Sequence, residues 1–253
     1  MSRCVLITGA TGSIGSALAE HYAEKGNTLI LQGRKEELLL NLVALCEAKG
    51  ASVLTKKLDL TDHQALVDWL HTLSGKILPD LVIINAGMNT NIGPNNEAER
   101  WDTVNQLLDV NLISAMITVD ALLPALRRRG SGQIALISSL AAWFGLPVTP
   151  SYCASKAALK VYGEALRGWL APEGIQINVI MPGYVESDLS EAMPGPKPFL
   201  WAPTKAARKI RRGLEKNQAR ISFPFPLTLG TWFLSMLPVD WSLRILRWLG
   251  YCG

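Results

Sequence analysis

The sequence predicts an α/β fold: a doubly wound parallel sheet with helices on both faces. Three observations predict it. Short aliphatic runs alternate with stretches of helical spacing from the N-terminus onward. The first run ends in a glycine-rich turn, Thr8-Gly9-Ala10-Thr11-Gly12-Ser13-Ile14-Gly15, that opens directly into a helical pattern. A later run, Leu81–Ile84, is aliphatic at every position, as a strand buried on both faces should be.

In chain order, Val5–Thr8 reads as the first strand and Ile14–Lys25 as the first helix. Thr28–Gln32 is the second strand, followed by the leucine-rich helix Glu36–Lys49. Ser52–Leu58 and Asp62–Leu73 repeat the pair, and Leu81–Ile84 is the fourth strand. Glu97–Arg129 is mostly helical, with Pro124 near its end. Gln133–Ser138, the long helix Ser151–Leu170 and Ile175–Ile180 complete the regular part. Alternation of this kind builds right-handed βαβ units.

Composition bounds the function. Hydrophobic residues make up 49% and charged residues 18% of 253, an apolar but not disordered chain. Residues 196–253 hold ten Lys/Arg and two Asp/Glu, a net of +8 in a chain whose total is +4. An acidic body with a basic tail points to an acidic partner or an anionic surface for that tail. Cys4, Cys46, Cys153 and Cys252 make no CxxC or other metal spacing and read as free thiols. His21, His63 and His71 form neither a metal nor a triad pattern, and nothing resembles a nucleic-acid module. With no cleavable leader pattern ahead of the first strand, the expected location is cytoplasmic.

The glycine-rich turn sits where a βαβ unit binds a dinucleotide. Glycines let the backbone approach a pyrophosphate, and the helix N-terminus offers N–H donors. At the end of the second strand, Leu31-Gln32-Gly33-Arg34, an NAD-preferring fold usually places an acid for the ribose 2′-hydroxyl. Here Gly33 holds that place, and Arg34 suits a 2′-phosphate and an adenine face, so NADP is favoured over NAD. A solvated arginine at a helix start is the alternative. Tyr152 and Lys156 are four apart on a helix and share a face, thirteen residues beyond Ser139, which follows the fifth strand. Ser139 and the first turn lie at strand carboxyl ends, where open α/β sheets bind ligands.

Together these residues resemble the short-chain dehydrogenase/reductase family in its single-domain form of Rossmann-like proteins. The resemblance rests on the Thr8–Gly15 turn, Asp59, Asn85-Ala86-Gly87, Asn111, Ser139, Tyr152-Cys153-Ala154-Ser155-Lys156 and Pro182-Gly183. It implies an oxidoreductase that moves a hydride between a nicotinamide cofactor and a carbonyl or alcohol. Tyr152 would be general acid and base, with Lys156 lowering its pKa and holding the ribose. Ser139 would orient the substrate oxygen and Asn111 relay protons. The resemblance places Gly9, Thr11, Gly12, Ser13, Ile14 and Gly15 at the phosphates, and Asp59 with Leu60 at the adenine. Asn85, Ala86 and Gly87 would shape the pocket, Ile180, Pro182 and Gly183 would border the nicotinamide, Ser187 would lie near its carboxamide or phosphate, and Val185 would also contact the cofactor. Asp59 as a helix cap, Asn111 as a buried amide and Ser138 in place of Ser139 stay open as alternatives. The family usually has its middle glycine at position 13; this chain has Gly12 and Ser13, a spacing similar to nucleotide-sugar epimerases and dehydratases. That chemistry is one alternative function, and a non-catalytic cofactor-binding scaffold is another.

Residues 1–195 thus read as the dinucleotide-binding and catalytic domain, and 196–253 as a substrate-loop and C-terminal extension of it. Phe199, Leu200 and Trp201 are expected to close over a substrate, Thr204 to cap a basic helix to Lys216, and Arg220–Phe223 to form a last strand. From Ile221 to Val239 no residue is charged, but Pro224, Pro226 and Pro238 argue against a spanning helix. Leu229–Leu237 and Trp241–Leu249 read as two short apolar helices. Packing on the protein's own core or on a second subunit is the favoured role, and peripheral contact with a membrane, serving a lipid-like substrate, is the alternative. The family resemblance implies a homo-oligomer.

Overall fold

A computed structural model describes residues 2–93 and 97–251. Cys252 lies outside them; Cys4, Cys46 and Cys153 are free thiols. Seven parallel strands form one sheet: β1 Cys4–Ile7, β2 Thr28–Gly33, β3 Ser52–Lys57, β4 Leu81–Ile84, β5 Gly132–Ile137, β6 Ile175–Pro182 and β7 Arg220–Phe223. Their order is β3-β2-β1-β4-β5-β6-β7. The winding therefore reverses between β1 and β4, and a crevice opens at the carboxyl ends of these two strands.

Helices cover both faces. On one side α1 (Ser13–Tyr22), α2 (Glu36–Ala48) and α8 (Pro203–Glu215) pack on Val5, Ile7, Leu29, Leu31 and Ile221. On the other, α3 (His63–Lys76), α5 (Ser114–Arg129) and α6 (Pro150–Leu170) cover Leu6, Ile30, Val82, Ile84, Leu136 and Ile177. Alternate residues of each strand feed opposite cores, which is why the strand sequences are aliphatic throughout. Each side of β4 is buried, as expected.

The long helical stretch differs from a single helix. It starts at Trp101 with α4 (Trp101–Leu108), widens into a π-turn at Asp109–Ile113 and continues as α5. Such π-turns collect at functional sites, and this one carries Asn111. Trp101–Arg129 is by length and composition apolar enough to cross a membrane, but half of its most apolar window is buried inside the protein. Gly130, in the left-handed conformation at φ +67°, ends α5 and accounts for the glycine there.

Thr204 does not cap α8. Pro203 takes the first helical position, where its missing N–H costs nothing, and Ala202 is the N-cap without a side-chain bond. A four-residue helix α7, Asp188–Glu191, follows β6. The two apolar helices after β7 are present as α9 (Phe225–Met236) and α10 (Val239–Trp248), separated at Pro238.

Candidate active site

The crevice at the carboxyl ends is a cleft of about 1270 Å³. One ligand pocket typically occupies about 300–1,000 Å³, so the cleft has room for a cofactor and a substrate together. Nearly all of the residues singled out in the sequence line it: Gly9, Thr11, Gly12, Ser13, Ile14, Arg34, Asp59, Leu60, Asn85, Ala86, Gly87, Ser139, Tyr152, Lys156, Pro182, Gly183, Val185 and Ser187. Gly15, Asn111 and Ile180 do not. All three are buried behind the lining, Ile180 in the core of the sheet rather than at its border.

The glycine turn is held from three sides. Its Gly9 N–H donates to Gln32 Oε1 (2.9 Å), and Gln32 Nε2 donates to the Leu58 carbonyl (2.7 Å). Asn85 Nδ2 donates to the carbonyls of Thr8 and Gly9 (3.1 and 3.0 Å), while Thr8 Oγ1 accepts from the N–H groups of Asn85 and Ala86. Gly9 has φ +60°, and a Cβ there would stand 2.7 Å from Ala86 Cα. At Gly15 a Cβ would collide with the Gly9 carbonyl. Both positions are therefore restricted to glycine by the protein itself. A Cβ on Gly12 would make only ordinary contact, 3.5 Å from the Gly9 carbonyl. The glycine at 12 answers to whatever approaches from the cleft, and Ser13 beside it begins α1 without obstructing the turn. Open N–H donors of the first turn of α1, close backbone and free volume fit a dinucleotide pyrophosphate.

At the adenine end Gly33 offers no carboxylate. Arg34 is mostly exposed and stands 4.0 Å from Asp59. Asp59 accepts from the N–H and hydroxyl of Thr61, and these bonds, with Arg34 adding to them, hold its carboxyl below the usual range. It is not the helix cap: Asp62 caps α3 by accepting from the Ala65 N–H.

Ser139, Tyr152 and Lys156 come together in the cleft. Lys156 is almost wholly buried, donates Nζ–H to the Ile137 carbonyl (3.0 Å) and lies 5.8 Å from the Tyr152 ring centre. Burial lowers its pKa to about 8. Tyr152 is also buried, and this pushes its hydroxyl up to about 12, against a hydrogen bond with Ser139 that pulls it down. The lowering expected from Lys156 is absent among the protein's own groups; only the bond with Ser139 works against burial. Ser138 and Ser139 both line the cleft, but the Ser138 hydroxyl is committed, donating to the Lys156 carbonyl (2.7 Å). Asn111 accepts from the Met88 N–H (2.8 Å) and donates to the Met88 carbonyl and to Ser155 Oγ, so it ties the loop after β4 to α6.

The short chain dehydrogenase family model matches residues 3–196. The chain belongs to the short-chain dehydrogenase family. An uncharacterized oxidoreductase of Myxococcus xanthus is 33% identical over 97% of this chain and 98% of its own. The 11-beta-hydroxysteroid dehydrogenase 1A of Arabidopsis thaliana is 31% identical over 98% of this chain and 76% of its own. A short-chain dehydrogenase of Burkholderia cenocepacia, solved in complex with NADP, superposes with a TM-score of 0.81 at 25% identity over 97% of this chain and 98% of that one. The protein is an NAD(P)-dependent oxidoreductase of this family, acting on small-molecule carbonyl or alcohol groups.

In this dehydrogenase the far wall of the cleft was not read from the sequence. Phe144 and Leu146 after β5, Tyr184 after β6, and Leu227, Leu234, Ile245, Leu246 and Tyr251 of the tail build it. The expected lid is also different. Pro196 and Pro198 line the cleft, while Phe199 and Leu200 point outward and Trp201 stacks on Phe223, 4.9 Å away. Ser187 caps α7 through a capping box with Ser190. Arg127 and Arg129, in the last turn of α5, pair with Glu173 and with Asp80. Apolar tail residues carry no spacing code that marks a pocket; Gln32, whose side chain holds the glycine turn, stands in the sequence only as the end of the second strand.

Proposed function

We propose that this enzyme interconverts a bulky, apolar ketone and its alcohol with NADP(H), Tyr152 moving the proton. The observation that carries the reading is the convergence of Tyr152, Ser139 and Lys156 between a glycine-lined arm and an apolar wall in one cleft. Pro182 and Gly183 would border the nicotinamide of a bound cofactor, which would supply or accept the hydride. The chain's own groups do the rest. Tyr152 is protonated at neutral pH, so it is loaded to donate to the substrate oxygen in reduction and takes the proton back in oxidation. Ser139 donates to that oxygen and fixes it near the Tyr152 hydroxyl. Lys156 would hold the ribose of the cofactor and, with its charge close to the phenol ring, would favour the tyrosinate when the proton leaves. Asn111, through Met88 and Ser155, keeps the π-turn and α6 in register for proton relay.

Preference for NADP rests on Gly33 and Arg34. The Arg34–Asp59 pair is solvent-exposed and long, and such pairs contribute little. The guanidinium is therefore available to a 2′-phosphate, which it meets with paired donors. An apolar wall suits neither a nucleotide sugar nor its many hydroxyls, which disfavours the epimerase reading. A scaffold has no use for the buried Lys156 ammonium. Exposed Trp101, Ile113, Met116 and Val161 on α4, the π-turn, α5 and α6 support pairing of two copies through these helices.

The test is a titration of purified protein with NADPH and NADH, repeated on Arg34→Ala. NADPH should bind more tightly, and the substitution should weaken it by about tenfold or more, leaving NADH within about twofold. Equal affinities, or an equal loss for both, would remove the NADP preference.

A further inference from the structure

We infer that α9 and α10 dock on an anionic lipid bilayer and seat the mouth of the cleft against it. No residue of α9 is charged, and the helix is apolar on both sides. Leu227 and Leu234 face the cleft, while Phe225, Leu229, Trp232 and Met236 recur at i, i+4, i+7 and i+11 and form an exposed stripe. Met236 is 67% and Phe225 74% exposed. A helix that is apolar all round belongs inside a protein or in lipid.

The second helix has the opposite, amphipathic character. Ser242 and Leu246 are buried against α9, with Ser242 Oγ donating to the Leu234 carbonyl. Its outer side carries Trp241 and Trp248, the latter 85% exposed, together with Arg244. Tryptophan beside arginine suits the headgroup level, where the ring is half in hydrocarbon and the guanidinium meets phosphate. Neither Arg244 nor Arg247 pairs with a carboxylate among the described residues. Between Lys216 and Tyr251 the chain has four basic residues against Asp240 alone, which complements an anionic surface.

Continuity with the cleft decides between a bilayer and a second copy of the chain. Phe233 and Leu249 are exposed on the outer surface and also line the cleft. A protein partner on this face would stopper the entrance. A bilayer would instead supply an apolar substrate to the wall formed by Leu234 and Leu246.

The full chain is mixed with phosphatidylcholine vesicles with and without about 30% phosphatidylserine, and the bound fraction is measured by flotation. Binding to the anionic vesicles and a blue shift of tryptophan emission are expected. Trp232→Ser, Trp241→Ser and Trp248→Ser combined should reduce binding tenfold or more, and each of Arg244→Ala and Arg247→Ala about fivefold, selectively on anionic vesicles. NADPH affinity, which these positions do not touch, reports that each variant is folded; the arginine pair keeps the test open if the triple variant is not. A wild-type chain that stays out of both vesicle types would overturn the proposal. So would a dimer in sedimentation that the tryptophan variant turns into monomer without vesicle binding at any stage.

Discussion

The cleft has two walls, and they are held by different forces. On the cofactor side, the turn after β1 is bonded through Gln32, Asn85 and Thr8, with glycines where any Cβ would collide. On the substrate side, α9 and α10 stand on apolar packing around Leu234, Leu246 and Tyr251, with Ser242 donating to the Leu234 carbonyl and Tyr251 to the Pro196 carbonyl. The first wall is specified by backbone geometry and tolerates almost no change. The second is specified by volume and apolarity, and can be reshaped without disturbing the sheet. One family can thus keep one cofactor arm and vary its substrates.

The sharpest test of this division lies where the walls meet. Tyr152→Phe removes the proton and leaves the ring, so turnover should fall about 10²–10⁴-fold while NADPH affinity changes by less than about twofold. Single-turnover kinetics beside a cofactor titration would read both. Retained turnover would strip Tyr152 of its role. Next comes Gly9→Ala, which forces a side chain into a left-handed position against Ala86. The left-handed backbone alone costs about 1–2 kcal/mol, and the clash adds to it. NADPH binding should be lost with a clear drop in Tm, measured by thermal unfolding with and without cofactor. A normal Tm and affinity would mean that the turn is looser than its hydrogen bonds indicate.

On the other wall, Leu246→Ala should act in the opposite sense. It opens space beside the cleft and costs about 2–4 kcal/mol of packing if α10 does not collapse inward. Cofactor affinity should hold, while KM rises for a ketone that fits the wild-type wall and the preference among ketones shifts towards larger ones. If cofactor affinity fell in step, the two walls would not be independent.

The same contrast explains what the sequence disclosed. The alternation of strands and helices and the glycine turn follow from periodicity and glycine placement, Arg34 from its chemistry at the end of β2, and Tyr152 and Lys156 from the family resemblance; the structure brings the turn and these three side chains to one crevice, while the order of the strands in the sheet was not legible. The π-turn at Asn111 was read as plain helix, because one extra residue in a turn leaves the hydrophobic pattern almost unchanged. The substrate wall was hidden for a different reason. Leu227, Leu234 and Leu246 differ in no local property from the leucines of the core, and only the path of the chain after β7 brings them over the catalytic cluster. Trp201 illustrates the reverse error: its position suggested a lid, but the edge of β7 offered Phe223 as a stacking partner.

A substitution at Lys156 separates stability from chemistry at the floor of both walls. Burial holds its pKa near 8, below the ordinary lysine value. A lysine whose folded pKa is lowered binds fewer protons folded than unfolded between that value and about 10.4. Its ionisation therefore opposes folding fully below about pH 8, and the penalty fades as pH rises through that window. Lys156→Met should abolish most turnover. At pH 7 it should nevertheless match or exceed the wild-type stability, by roughly 1–3 kcal/mol less whatever the bond to Ile137 contributes. Unfolding in urea at pH 7 and at pH 10 gives the sign: the advantage of the variant should shrink at the higher pH. A variant less stable than wild type at both would show that the ammonium is well solvated by the groups around it, so that the charge next to Tyr152 is held at no cost to the fold.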